Sequence, residues 1–106
     1  MELRKLFAAF GAMLVMAPTV AHATGDPIAG QTLSQANCAR CHDIGQQGQT
    51  GARATGFAEI AADWPEDRID AYLFPVVHAS ARGTVRIELT REEADDIAAY
   101  ILSLKN

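Results

Sequence analysis

Cys38-Ala39-Arg40-Cys41-His42 constrains this chain more than any other stretch. Two thiols three positions apart, with an imidazole directly after the second, have the spacing that attaches a c-type haem. Each sulfur can form a thioether to one vinyl group of the porphyrin, and the short span brings both to one macrocycle edge. His42 is then positioned to ligate the iron from the proximal side. A chain built this way must fold around a large apolar disc.

Three other uses of the cysteines compete. A thioredoxin-like redox pair needs a βαβ context, and no such pattern occurs here. A structural zinc site would need four ligands, for which Cys38, Cys41, His42 and His78 are the candidates. Adjacent Cys41 and His42 fit poorly around one tetrahedral ion. A Cys38–Cys41 disulfide would close a very small loop and add little stability. Haem attachment accounts best for the motif.

The beginning of the chain reads as an export signal. Arg4 and Lys5 give a positive start, Leu6 to Val20 is mostly apolar, and Ala21-His22-Ala23 fits the small-x-small cleavage rule. Residues 1–23 are therefore expected to be removed, leaving one domain over 24–106 in the periplasm or otherwise exported. No later segment is apolar enough to span a membrane, so no stable insertion is expected once the signal is gone. Without Glu2, Arg4 and Lys5, the 13 acidic and 9 basic residues fall to 12 and 7, a charge of −5. That balance argues against nucleic acid, which calls for a basic stripe. A domain of this size has a marginal core of its own and usually needs a staple or a cofactor. The haem-free chain is accordingly expected to fold poorly.

Asp26-Pro27 has the form of an N-cap followed by proline, predicting a helix from Pro27 to about Asn37. Its apolar signal is weak, resting on Ile28, Leu33 and Ala36. Residues 43–56 hold four glycines and read as a loop. Phe57 to Ala62 has helical character. A further helix should start at Pro65, present Ile69, Tyr72, Leu73 and Val76 as its apolar face, and end near Pro75. Thr90-Arg91-Glu92-Glu93 is a capping box. Ala94, Ile97, Ala98, Ile101 and Leu102 then recur at helical spacing, with Asp95 and Asp96 expected to face away. Val85, Ile87 and Leu89 alternate with polar residues, as in an extended lead-in or a small strand.

On these features the chain resembles the small soluble class I cytochromes c, over essentially all of residues 26–106. The resemblance implies an all-α fold, three to five short helices wrapped around one covalently bound haem c and its iron. It implies that Gly30, eight residues before Cys38, crosses the last helix near the aromatic Tyr100. It also likens Trp64 to the family's aromatic near a haem propionate, although a plain core role fits Trp64 equally well. Two departures matter. The family usually supplies a distal methionine, here falling at about Thr84, yet Met1, Met13 and Met16 all lie in the expected signal. The family's proximal-loop proline is also missing, so another carbonyl in residues 50–56 must accept from the His42 ring.

With no methionine available, His78 becomes the candidate distal ligand. The expected function is one-electron transfer by a monohaem cytochrome with His/His or otherwise non-methionine ligation, rather than catalysis. It would work with a redox partner such as a dehydrogenase or oxidase, or as a subunit of such an enzyme. The alternative is a five-coordinate haem protein that binds a small gas or peroxide, with Arg82 or Arg86 near the bound ligand. The carboxylates of the last helix carry no visible acid–base role.

Overall fold

A computed structural model describes residues 11–16, 25–45, 54–80 and 83–105. Four helices and one hairpin follow in chain order: α1 (Pro27–Asn37), α2 (Phe57–Asp63), α3 (Glu66–Leu73), β1 (Val76–Ser80), β2 (Gly83–Ile87) and α4 (Arg91–Ser103).

Helix α4 forms as its sequence dictates. The Thr90 hydroxyl accepts from the Glu93 N–H at 3.1 Å, and the Glu93 carboxylate accepts from the Thr90 N–H at 2.9 Å. Two of the backbone donors that every helix start leaves without partners are thereby used. The stripe Ala94, Ile97, Ala98, Ile101 is buried throughout, with Ile97 fully enclosed. Ile60, Ala61, Ile69, Phe57 and Tyr100 complete the core.

Helix α1, whose apolar signal is weak, docks on α4 largely through small residues, with Leu33 packed against the core. Ile28 is 76% exposed, and the buried residues of α1 are Gly30 and Ser34. Small residues allow the two backbones to touch. A Cβ built at Gly30 would lie 1.9 Å from the Asp96 carbonyl oxygen and 2.9 Å from the Tyr100 Cβ, so only glycine fits. The crossing of Gly30 with the Tyr100 helix is as the resemblance implied. Asp96, expected to face away, instead accepts a 2.8 Å hydrogen bond from the Asp26 N–H and ties the start of α1 to α4. Asp95 does lie outward enough to pair with Arg91 at 3.3 Å.

The all-α expectation needs amending. The fold is mostly helical, but β1 and β2 form an antiparallel pair in which Val76 faces Ile87 and His78 faces Val85. Alternation explains it: Val76, His78, Val85 and Ile87 point to one side, and Val77, Thr84 and Arg86 are exposed on the other. Val76 thus belongs to a strand and not to the helix before it. Helix α3 ends at Leu73, Ile69 alone of its residues is buried, and Tyr72 is half exposed. Thr84, at the family's usual methionine position, is on the outward face. Arg82 lies outside the described residues.

Candidate functional site

The end of α1 delivers the motif. The Cys38 N–H caps the helix on the Ser34 carbonyl at 2.8 Å, and the chain turns as the Cys41 and His42 N–H groups donate back to the Cys38 carbonyl at 3.2 and 2.9 Å. A bridge between His42 and Ala54 then fixes the segment leading into α2. Its neighbours lock it further, with Ala54 N–H on the Cys41 carbonyl and Phe57 N–H on the Asp43 carbonyl. Tyr100 adds a tie from α4 by donating its hydroxyl to the Ile44 carbonyl.

This scaffold decides the chemistry of His42. Its Nδ1 lies 2.6 Å from the Thr55 carbonyl oxygen. A carbonyl only accepts, so Nδ1 carries a proton, and in the neutral ring Nε2 keeps its lone pair. That is the tautomer a metal ligand needs, and the carbonyl also raises its basicity. Thr55 falls inside the 50–56 window expected to provide the acceptor. Phe57 packs beside the ring, centroid to centroid 5.4 Å.

Cys38, Cys41, His42 and His78 all line one cavity of about 590 Å³. That is within the ~300–1,000 Å³ of sites that enclose a cofactor. Its walls are largely apolar, with contributions from Phe57, Ile60, Ile69, Leu73 and Ile101. Both thiols are free. Burial, aided by the nearby Cys41, pushes the Cys38 thiol up to about 11, so it stays protonated at neutral pH. Across the cavity from His42, His78 presents its ring at 6.2 Å between centroids, with the planes 81° apart. Among the described residues no set of three or more His, Cys, Asp or Glu side chains closes on a common metal position.

Trp64 and Tyr72 form another wall of the cavity, edge to face at 5.0 Å. The Arg68 guanidinium lies 3.8 Å over the indole and 5.8 Å from the phenol ring. Trp64 is therefore both a packing residue and part of the cavity wall. Arg86 sits on the exposed face of β2, opposite to the side that carries His78.

The residues present fit a haem. Two thiols sit on the wall of an apolar slot, one imidazole is held in the ligating tautomer, and a second stands opposite. Imidazole–metal bonds run about 2.0–2.1 Å and a ring nitrogen lies roughly 1.1 Å from the ring centre, so two rings on one metal have centres about 6.3 Å apart. The observed centroid separation of 6.2 Å matches that spacing. Among the described residues no helix is long and apolar enough to cross a membrane. In comparisons with known proteins, a family model described as cytochrome c matches residues 28–105. No curated protein and no solved structure matches.

Proposed function

The chain belongs to the cytochrome c family and carries haem c, and on that premise we propose an exported one-electron carrier with Cys38 and Cys41 as the haem attachment, His42 as the proximal ligand and His78 as the distal one. The observation that carries the distal assignment is the 6.2 Å separation of the two imidazoles across the cavity that the cysteines line.

The haem supplies the redox step, its iron taking up and releasing one electron between ferric and ferrous. The chain sets the conditions. Thr55 holds the Nδ1 proton of His42 and so keeps Nε2 as a donor. Largely apolar walls line the cavity that would hold the haem. Two imidazoles, without a methionine sulfur, put the reduction potential below that of His/Met relatives. Electron transfer implies a redox partner, for which a dehydrogenase or oxidase is the natural class. The acidic composition suits a partner with a basic docking face. Residues 1–23 act as the export signal and the mature chain starts at Thr24 in the periplasm. Mass spectrometry of the protein from an export-competent host checks that start and the single added haem.

Optical spectra of the ferric and ferrous protein test the ligation. Low-spin spectra in both states, lost in His78→Ala, are expected. A high-spin ferrous spectrum in the unaltered protein would instead give the five-coordinate, gas-binding reading.

A further inference from the structure

The hold on His42 extends one step beyond Thr55, to a residue of α4. Two short stretches, 41–44 and 54–57, form a clip around the ring. The Ala54 N–H donates to the Cys41 carbonyl at 3.0 Å, and the Phe57 N–H donates to the Asp43 carbonyl at 2.8 Å. His42 closes the clip from inside, through its Nδ1 and the Thr55 carbonyl. Tyr100 holds it from outside by donating its hydroxyl to the Ile44 carbonyl. The Tyr100 ring also packs against Phe57, centroids 6.4 Å apart, and Phe57 in turn flanks His42. Tyr100, Ile44 and Asp43 are buried by the chain itself, away from the cavity lining, so this arrangement does not wait for a cofactor to cover it. The crossing at Gly30 meets the Cβ of Tyr100 and makes no use of its hydroxyl. Burial, aided by the charge of Asp43, pushes the Tyr100 phenol above its ordinary value, so it keeps the proton that it donates.

Resting on His42 as the proximal ligand, we propose that Tyr100 is a positioning residue for electron transfer, its hydroxyl holding the clip in the geometry that keeps the His42–Thr55 hydrogen bond strong and the reduction potential low. A carbonyl accepting from Nδ1 makes the ring a stronger donor at Nε2. A stronger donor stabilises the ferric state more than the ferrous one. Hydrogen bonding behind an axial ligand is one of the levers that set a haem potential. Thr55 serves this purpose only while its carbonyl stays aligned with the ring. Without the tie at Ile44, the 41–44 stretch is free to shift against 54–57 and carry the ring out of line. In the redox step one electron passes between the iron and the partner protein, no bond at the iron forms or breaks, and the Nδ1 proton stays on His42.

Two variants separate positioning from plain support. Tyr100→Phe removes the hydroxyl and keeps the ring. Ile97→Val trims the core face of the same helix and touches no hydrogen bond of the clip. In redox titration of the holoprotein, the ferrous-to-ferric ratio at a fixed ambient potential should rise about 3–10-fold in Tyr100→Phe, roughly 30–60 mV for one electron. Ile97→Val should leave the potential in place. Proton nuclear magnetic resonance of the ferrous protein should show the His42 Nδ1 proton exchanging with solvent faster in Tyr100→Phe alone. An unmoved potential in Tyr100→Phe overturns the proposal. An equal shift in Ile97→Val overturns it too, because the hydroxyl would then act only on stability. His42 ring protons without the ring-current shift of an axial imidazole would remove the ligation reading and the proposal with it. Where that shift is present, a failed titration counts against the proposal alone.

Discussion

The two sides of the cavity are built to different standards. Behind His42 stand α1 and α4, backbone against backbone at Gly30, with the Tyr100 hydroxyl and the Thr55 carbonyl fixing what lies between. Behind His78 stands a two-stranded hairpin secured by Val76. An isolated hairpin is at best marginally stable in water, whereas a crossed helix pair with a filled interface holds its shape. The contrast teaches that one half of the cavity is held by helix packing while the facing half is held chiefly by strand pairing.

Removing the cofactor puts the largest stress on that contrast. Replacing Cys38 and Cys41 with Ala should cost the chain most of its helical circular dichroism, because the apolar cavity walls would face water. Native-like circular dichroism would instead show that the helical side stands alone. Ile97→Ala should destabilise the holoprotein by about 2–5 kcal/mol in denaturant unfolding, as expected for a fully enclosed side chain. Gly30→Ala should cost about 1–3 kcal/mol by the same measurement, since its methyl group would collide with the Asp96 carbonyl. Val76→Ala should cost only about 1.6 kcal/mol, the loss of two buried carbons. Its clearer signature is local: amide exchange in β1 and β2 should accelerate while that of α4 holds. Equal acceleration in α4 would mean that the hairpin and the body open as one unit.

The strong side was the more legible from sequence, for a physical reason. Capping at Thr90 and the stripe from Ala94 to Ile101 are local patterns, complete within a few turns. The approach at Gly30 could be anticipated because a missing side chain has few structural uses. Other features depend on residues far apart in the chain. Asp96 reads as a solvated carboxylate until the N–H of Asp26, 70 positions away, is placed against it. Alternation at Val85 and Ile87 was visible, but Val76-Val77 next to Pro75 looks like the end of a helix, so the partner strand was hidden. Residues that act through the backbone are harder still. Thr55 contributes a carbonyl that any side chain would carry, and only the need for an acceptor pointed to its neighbourhood. The four candidate residues that line the cavity were identifiable by type, while the 6.2 Å between two of them is a property of the fold.

The cation-capped aromatic wall has a consequence for how charge leaves the protein. Tyr72 lines the cavity and is also half exposed, so Trp64 and Tyr72 bridge the interior and the surface. Such a bridge shortens the gap that a tunnelling electron must cross. A guanidinium held against the indole is attracted to the electrons of the ring. The same attraction makes an electron harder to remove from it. The wall is thus suited to bridge interior and surface without becoming a radical itself.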